Sequence, residues 1–131
     1  MKSIDVTCAI ILKDNKVLAC LRGEGKEHAN EWEFPGGKVE ENETEEECLI
    51  RELKEELHIE INVLRRLKSV HHFYEKVHIH LIPFLCEISL GEPVLSEHKK
   101  VIWQPITRLD VLNWSEADRK LIQLNIEEII C

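Results

Sequence analysis

The segment GGKVEENETEEECLIRELKEELHI, residues 36–59, opens with two adjacent glycines, and nine of its twenty-four residues are glutamate. Thr44 is followed three residues later by Glu47, which is the capping-box pattern that begins a helix. Apolar residues then recur at intervals of three and four, the spacing of a helix with one buried face. The segment therefore predicts an amphipathic helix starting at Thr44. Its buried face is expected to contain Cys48, Leu49, Leu53 and Leu57.

Six of the nine glutamates lie before or within the first turn of this helix. Carboxylates at a helix N-terminus interact favourably with the helix dipole, by roughly 0.3–1 kcal/mol each. Interaction with the dipole is therefore the simpler explanation for this group. Its members are Glu40, Glu41, Glu43, Glu45, Glu46 and Glu47.

The other three glutamates, Glu52, Glu55 and Glu56, come after the apolar positions have fixed the helix. At about 100° per residue, Glu55 lies roughly 60° to one side of Glu52, and Glu56 lies roughly 40° to the other side. Like charges this close repel each other unless a cation offsets them. Oxygen ligands of this kind select a hard ion such as Mg²⁺ or Mn²⁺. The spacing thus admits a metal site but does not by itself favour one over a solvated helix face.

The composition describes a globular protein, with 44% hydrophobic and 32% charged residues in a chain of 131. This length fits a single domain over residues 1–131. The formal net charge of −8 argues against a protein that coats nucleic acid, because such proteins present a basic face. An anionic ligand would need a cation between itself and this protein.

The N-terminal sequence MKSIDVTCAIILKD does not predict a signal peptide, because Asp5 interrupts its apolar stretch. No run approaches the roughly eighteen apolar residues that a membrane span needs. The five cysteines are widely spaced and form no C-x-x-C pair, which disfavours a disulfide framework or a zinc cluster. We therefore expect a cytoplasmic protein, away from membranes, with reduced and mostly buried thiols. These thiols are Cys8, Cys20, Cys48, Cys86 and Cys131.

Strand and helix signals alternate along the rest of the chain. A turn at Asp14 and Asn15 joins two apolar stretches into a predicted hairpin, and EWEFPGG predicts a short strand followed by a loop. After the helix, residues 59–74 and 77–90 predict two paired strands. GEPVLSEHKK predicts a polar loop, VIWQP a short strand, and Ser115 the start of a terminal helix. This order predicts an α/β fold with a mixed sheet between helices.

The opening segment also resembles a known motif. With U for an aliphatic residue, the Nudix box reads G-x5-E-x7-R-E-U-x-E-E-x-G-U, and the chain departs from it only at His58, where the family has glycine. A helix often ends in a left-handed residue, and histidine is among the few other residues enriched there, at a cost of roughly 1 kcal/mol. The matching residues are Gly37, Glu43, Arg51, Glu52, Leu53, Glu55, Glu56 and Ile59.

The resemblance to the Nudix hydrolase family covers nearly the whole chain. EFPGGKVE, CLR, GEPVLSE and WSEAD fall where they do in the MutT and CTP pyrophosphohydrolase types of this family. The resemblance implies an α+β fold, the Nudix α/β/α sandwich with a mixed central sheet. It also implies hydrolysis of a nucleoside triphosphate to a monophosphate and pyrophosphate, with 8-oxo-dGTP or a cytidine nucleotide as the substrate.

The same resemblance implies a Mg²⁺ site, with Mn²⁺ as a substitute. Glu52, Glu55 and Glu56 are the expected ligands, joined by the Gly36 carbonyl oxygen and by Glu97 from a loop. Divalent ions bridge carboxylates to phosphate oxygens and lower the pKa of a bound water. Glu97 is also the expected general base, and a solvated loop residue is the alternative.

Several basic residues are expected beside the metal site. Arg51 is spaced to orient a metal-binding carboxylate or Glu43 through its guanidinium fork, and an ordinary helical ion pair with Glu55 is the alternative. Arg22 and Lys38 are candidates for direct phosphate contact or, alternatively, surface charges. Together with the carboxylates, these residues form the expected catalytic and phosphate-binding group.

The base pocket is expected at the start of the last helix. By the resemblance, Asp118 in WSEAD takes the place of the residue that hydrogen-bonds the base, although a carboxylate there also complements the helix dipole. An ionised carboxylate accepts from a base edge rich in N–H, and a protonated one both accepts and donates, so cytosine and 8-oxoguanine are both admissible. Phe34 lines this pocket or belongs to the core.

The same residues also admit other functions. A hydrolase of dinucleoside polyphosphates or nucleotide sugars is one alternative, and a nucleotide-binding module without catalysis is another, although the complete set of carboxylates favours catalysis. The base, the number of metal ions and the choice between monomer and dimer stay open. Zinc is not indicated, because four strand histidines lack its ligand spacing. They are His71, His72, His78 and His80.

Overall fold

The computed structural model describes residues 2–25 and 28–130. Cys131, a predicted thiol and the last residue of the predicted domain, lies outside these ranges. Within them the chain forms eight strands, two α-helices and a 3-10 segment, Ile106–Val111, that the sequence patterns did not predict. The strands are β1 (Lys2–Lys13), β2 (Lys16–Leu21), β3 (Trp32–Glu33), β4 (Gly36–Lys38), β5 (Glu60–Arg66), β6 (Val70–Tyr74), β7 (Val77–Leu90) and β8 (Lys100–Pro105), and the helices are α1 (Glu45–Leu57) and α2 (Glu116–Ile130).

Strands β1 and β7 form the centre of one mixed sheet. They run parallel, from Lys2 opposite Val77 to Ile11 opposite Cys86. Antiparallel partners flank them, with β2 and β4 on β1 and with β5 and β6 on β7. Strand β2 pairs in turn with β3 and β8. The predicted mixed sheet is confirmed, and its parallel centre explains the long apolar runs in β1 and β7.

The side chains of β1 alternate between the two faces of the sheet and divide the core in two. Ala9 and Ile11 pack with the apolar face of α1, whereas Cys8 and Ile10 pack with residues of α2. Burying an apolar side chain the size of isoleucine contributes about 1.5–3 kcal/mol, so this central strand stabilises both layers. The helix–sheet–helix layering confirms the predicted α/β/α sandwich. The predicted buried face of α1 is also confirmed at Cys48, Leu49, Leu53 and Leu57.

The predicted hairpin between β1 and β2 is confirmed. Asp14 and Asn15 have φ values of 51° and 61°, which are the left-handed conformations of a tight two-residue hairpin turn. The strands pair directly beyond the turn, with Lys13 opposite Lys16. Asparagine and aspartate tolerate this backbone better than most residues, which is why the dipeptide was informative.

The predicted loop after Pro35 is partly wrong, because Gly36–Lys38 forms strand β4. Its main chain pairs with residues 6–8 of β1. A Cβ atom at Gly36 would lie 1.9 Å from the carbonyl oxygen of Thr7, so glycine alone permits this approach. Local patterns miss the strand because glycine disfavours strands in general and marks close backbone approach in particular.

The stretch predicted as one strand over residues 59–74 divides into β5 and β6. The division lies opposite Pro83 of β7, which has no N–H to donate. Leu67 donates its N–H to the Pro83 carbonyl oxygen at 2.9 Å, and the Lys68 N–H turns to the side-chain oxygen of Asn125 in α2, also at 2.9 Å. Both halves still pair with β7, as expected for the predicted strand pair.

The cysteines within the described ranges are free and buried, as predicted. Burial raises the pKa of the Cys8 and Cys20 thiols well above the usual range. These thiols therefore stay protonated and weakly nucleophilic. No helix in the described ranges has the length and apolar character needed to cross a membrane.

The strand histidines occupy the positions that alternation on a sheet explains. His78 and His80 lie two residues apart on β7, and the ring of His71 from β6 stacks on both, with centroid distances of 4.9 and 4.3 Å. His72 points to the other face and is 5% exposed. Sheet geometry accounts for this cluster.

Candidate active site

Helix α1 begins and ends as the sequence predicts. The Glu47 N–H donates to the Thr44 hydroxyl at 3.1 Å, and the Thr44 N–H donates to the Glu47 carboxylate at 2.8 Å. At the other end, His58 has φ 58° and ψ 35°, and its N–H donates to the Lys54 carbonyl oxygen at 3.1 Å. The chain thus leaves the helix in the left-handed conformation that glycine favours. These caps fix the direction in which the helix carboxylates point.

Gly37 makes room for the carboxylate of Glu52. A Cβ atom at Gly37 would lie 2.2 Å from the carboxyl carbon of Glu52. The Gly37 carbonyl oxygen accepts a hydrogen bond from the Thr7 hydroxyl at 3.3 Å, which ties β4 to β1 at this point. Burial raises the pKa of Glu52, although the hydrogen bond and charge of Arg51 partly oppose the effect.

Arg51 contacts three carboxylates of the motif. Its Nε and Nη2 atoms donate to the two oxygens of Glu43 at 3.0 and 2.8 Å. Its Nη1 atom donates to Glu52 at 2.9 Å and lies 3.4 Å from Glu55. The hydrogen bond to Arg51, followed by one from the Glu40 N–H, lowers the pKa of Glu43 to about 2. Arg51 therefore contacts Glu43 and two of the helix carboxylates, so the geometry fits the orienting role as well as the alternative ion pair with Glu55.

Glu56 is the carboxylate of α1 that lines a cavity of about 470 Å³. Its Oε2 atom is buried and has no hydrogen-bond partner. Burial first, and then the charges of Glu52, Glu97 and Glu33, raise the pKa of Glu56 to about 8. A buried carboxylate oxygen without a donor is unfavourable. A cation at this position would relieve both the missing contact and the repulsion.

Glu97 reaches Glu56 from the loop between β7 and β8. Both line a small cavity of about 90 Å³, together with Arg22, Glu33 and His98. Glu33 accepts hydrogen bonds from Arg22 Nη1 and from His98 Nε2, each at 2.9 Å. Burial acts to raise the pKa of Glu33, but these two partners lower it below the usual value. Glu33 is therefore held as a carboxylate beside the predicted general base.

A larger cavity of about 470 Å³ joins the glycine pair to the start of α2. Its lining includes Gly36, Gly37 and Glu56 as well as Phe34 and Asp118. The glycine pair, a carboxylate of α1 and a buried carboxyl of α2 thus line one space. The cavity has the size of common small-molecule sites.

Asp118 is buried in the wall of this cavity and is 7% exposed. Its Oδ1 atom accepts from the Phe34 N–H at 3.0 Å, and its Oδ2 atom accepts from the Ser115 hydroxyl. Burial raises the pKa of Asp118 to about 7 despite these hydrogen bonds. The Phe34 ring packs against Trp114 with a centroid distance of 4.7 Å. Phe34 therefore belongs to the core and lines the cavity, so both sequence-based alternatives describe it.

Three of the expected site residues are exposed, among them Glu97 in its loop. The Glu55 side chain is 60% exposed. Lys38 is exposed, and its main-chain oxygen lies 3.4 Å from Arg51 Nη2. Arg22, in contrast, lines the cavity and pairs with Glu33. Glu56, Arg22 and Asp118 line the larger cavity, and Glu97 lines the smaller one together with Glu56 and Arg22.

Sequence reasoning missed Glu33 and His98. Glu33 directly precedes Phe34 in the EFPGG stretch, and His98 directly follows Glu97. The signal available in the sequence was the position of each residue. Glu33 is a carboxylate within a short predicted strand, and His98 is a histidine next to the candidate general base. Their contact joins residues 65 positions apart, which no local pattern reveals.

The residues of the motif fit a hard divalent cation. No three His, Cys, Asp or Glu side chains in the described ranges converge closely enough to hold an ion. The donors nevertheless have the required chemistry, because Glu56 Oε2 lacks a partner and the pKa values of Glu52 and Glu56 are raised. Glu56 lines both cavities, of which Gly36 lines the larger and Glu97 the smaller. An all-oxygen set of this kind suits Mg²⁺ or Mn²⁺.

Comparison with known families identifies the class of protein. The family model described as NUDIX domain matches residues 1–124. The chain therefore belongs to the Nudix family, and the resemblance carried by residues 37–59 is confirmed.

Individual relatives narrow the class further. A CTP pyrophosphohydrolase of Escherichia coli strain K12 is 38% identical over 103 residues, which cover 79% of this chain and 76% of the relative. An 8-oxo-dGTP diphosphatase of the same strain is 31% identical over 123 residues, covering 93% and 95%. The solution structure of the DNA mismatch repair protein MutT from methicillin-resistant Staphylococcus aureus 252 is 40% identical, with a TM-score of 0.78 and coverage of 98% and 99%. The predicted enzyme class, a Nudix hydrolase similar to nucleotide diphosphatases, is confirmed.

Proposed function

We propose that this protein is a divalent-metal-dependent nucleoside triphosphate pyrophosphohydrolase whose substrate carries cytosine or 8-oxoguanine. The observation that carries the proposal is the unpartnered Oε2 atom of Glu56, buried in a cavity that Asp118 also lines. One space of about 470 Å³ therefore offers a position for a cation and a polar group for a base.

The metal would be held by Glu52, Glu55 and Glu56, the Gly36 carbonyl oxygen and Glu97. When bound, Mg²⁺ or Mn²⁺ supplies charge neutralisation of the phosphates and lowers the pKa of a coordinated water. The need for a cation follows from the net charge of −8, because the protein would otherwise repel a triphosphate.

The side chains of this chain perform the remaining steps. Glu97 takes the proton of the attacking water, as expected of a carboxylate beside the site. The water oxygen bonds to phosphorus while the bridging bond between the α- and β-phosphates breaks, releasing a monophosphate and pyrophosphate. Arg22 contacts the phosphates from the cavity wall, and Lys38 contacts them from the exposed end of β4. Arg51 keeps Glu52 in place during the reaction.

Asp118 selects the base. Its oxygens already accept from Phe34 and Ser115, and their remaining lone pairs can accept from a base N–H group. Cytosine offers its amino group, and 8-oxoguanine offers N7–H. The relatives named CTP pyrophosphohydrolase and 8-oxo-dGTP diphosphatase support the same two bases.

Two matched pairs of nucleotides test the proposal. CTP presents an amino donor where UTP presents a carbonyl acceptor. In the same way, 8-oxo-dGTP presents an N7–H donor where dGTP presents an N7 acceptor. We expect Mg²⁺-dependent release of pyrophosphate and a rate difference of at least about tenfold within one pair. Release of orthophosphate alone, or equal rates within both pairs, would contradict the proposal.

The setting of the enzyme is part of the proposal. We propose that residues 1–131 act as one domain on free nucleotides in the cytoplasm. The acidic charge supports free nucleotides over nucleic acid as the substrate. Gel filtration with light scattering would decide between monomer and dimer.

A further inference from the structure

We infer that His98 is a positioning residue that orients Glu97 by anchoring the loop of residues 91–99 to Glu33. The inference rests on the proposed function, in which Glu97 is the general base. It adds a residue that the Nudix motif does not contain and that the sequence did not indicate.

Glu97 lies between two anchored neighbours. On one side, Ser96 donates its hydroxyl to the main-chain oxygen of Glu56, near the end of α1. On the other side, His98 Nε2 donates to Glu33 Oε2 at 2.9 Å. Ser96 thus connects the loop to α1, and His98 connects it to β3. The Glu97 side chain is thereby held beside Glu56.

The loop has few apolar anchors of its own. Val94 and Leu95 are 50% and 52% exposed. Main-chain hydrogen bonds of 2.9 Å hold the N–H groups of Val94 and Lys99. Between those two points, the loop depends on the polar side-chain contacts of Ser96 and His98. A segment with so little apolar burial opens locally when such contacts are removed.

The burial of His98 points to the same contact. Its side chain is 7% exposed, and its Nδ1 atom is buried without a hydrogen-bond partner. Leaving a polar atom buried and unpaired is unfavourable. Since Nδ1 has no partner within the described ranges, the hydrogen bond from Nε2 to Glu33 is the contact that holds the ring in place. Its acceptor is an ionised carboxylate, so this bond is stronger than one between neutral groups.

Glu33 connects this anchor to the phosphate side of the site. Its other oxygen accepts from Arg22 Nη1 at 2.9 Å. Replacing His98 leaves the contact between Glu33 and Arg22 in place. We therefore expect the loss to fall on kcat, through misplacement of Glu97, and not on KM for the nucleotide.

Three variants of the full chain test the role of His98. His98→Ala should lower kcat by about tenfold with KM little changed, because a displaced base loses its alignment. His98→Gln should restore most of the rate, since its amide N–H can occupy the Nε2 position. His80→Ala is the matched control, because His80 also pairs with a carboxylate, Asp5 at 3.2 Å, but outside the site. Normal turnover in His98→Ala would overturn the inference.

A double-mutant cycle separates positioning of Glu97 from a general structural role. If His98 acts through Glu97, then adding His98→Ala to Glu97→Gln should cost little further activity. Equal fold-losses in both backgrounds would show that His98 acts independently of Glu97 and would overturn the inference.

Hydrogen exchange gives a readout that does not depend on turnover. In the metal-free full chain, His98→Ala should speed exchange of the Lys99 amide by about tenfold or more and leave the core of α1 unchanged. Unchanged exchange at Lys99 would overturn the inference. If the wild-type chain hydrolyses no nucleotide, the proposed function fails, yet this measurement still decides whether His98 anchors the loop.

Discussion

The guanidinium of Arg51 contacts both oxygens of Glu43, through Nε at 3.0 Å and through Nη2 at 2.8 Å. Glu43 precedes α1, whereas Arg51 lies within it, so this two-pronged contact joins the loop before the helix to its carboxylate face. The same guanidinium reaches Glu52 at 2.9 Å. A planar fork with several donors is required to make all three bonds at once.

Arg51→Lys should therefore reduce both activity and stability. Lysine keeps the charge but cannot form the two-pronged contact, so we expect turnover to fall by about tenfold or more and the free energy of unfolding to fall below that of the control variant. Steady-state kinetics and urea unfolding measure the two effects. Arg66→Lys is the control, because Arg66 contacts Glu45 at an exposed position. Wild-type turnover in Arg51→Lys would contradict the orienting role.

The two adjacent glycines should respond differently to alanine. Gly36→Ala places a Cβ atom 1.9 Å from a main-chain oxygen, whereas Gly37→Ala places it 2.2 Å from the Glu52 carboxyl carbon. We expect Gly36→Ala to destabilise the fold by about 2–4 kcal/mol, because backbone must move. Gly37→Ala should instead keep most of its stability, because the flexible Glu52 side chain can move aside. It should lose turnover, because the Glu52 carboxylate is then displaced. Gly23→Ala, with nothing within 4 Å of the new Cβ, is the control for stability.

Thermal unfolding and kinetics on these three variants distinguish the cases. A Gly37→Ala variant that retains full turnover would show that the position of Glu52 is not critical. A Gly36→Ala variant as stable as wild type would contradict the close approach of β4 to β1.

Glu56→Gln should weaken metal binding without unfolding the protein. The substitution keeps the shape of this half-buried side chain but replaces one potential carboxylate ligand oxygen with an amide nitrogen, so we expect Mn²⁺ affinity to fall by at least about tenfold. Titration calorimetry with Mn²⁺ in the absence of nucleotide measures the change. Glu46→Gln, at an exposed position in the first turn of the same helix, should bind as wild type does. Equal affinities for the two variants would remove Glu56 from the metal site.

The raised pKa of Asp118 predicts a pH-dependent stability. Its pKa is about 7 in the folded chain against an ordinary value of 3.8. The folded state therefore holds the proton more tightly, and its stability falls as the pH rises through this window. Asp118→Asn removes this titration. The stability of the variant relative to wild type should therefore increase as the pH rises from 3.8 to about 7 and stay constant above that range. Urea unfolding below, within and above the window measures this, and a pH-independent difference would contradict it.

Local patterns were sufficient for the parts of the fold that short-range physics decides. The Thr44 cap, the turn at Asp14 and Asn15 and the left-handed end of α1 at His58 depend on a few neighbouring residues each, and all were predicted. The carboxylate face of the helix follows from its periodicity in the same way. The Nudix motif lies within one such stretch, which is why the family could be identified before the fold.

The missed features depend on contacts between distant parts of the chain. Strand β4 exists because Gly36 can approach β1, and the break between β5 and β6 exists because Pro83 lies opposite it. The contact between His98 and Glu33 is of the same kind. Local propensity carries no information about such partners.

The 470 Å³ cavity is bounded at one end by the glycine pair, here called its floor, and elsewhere by residues with side chains, here called its walls. Near the carboxylates, the backbone of β4 lies against that of β1 at Gly36 and Thr7, while Phe34, Tyr74 and Ile79 line the space with their side chains. A change in the walls leaves the backbone contacts of the floor untouched. Substrate preference can therefore diverge among descendants of one ancestor through a few wall substitutions, while the hydrolytic machinery is inherited unaltered.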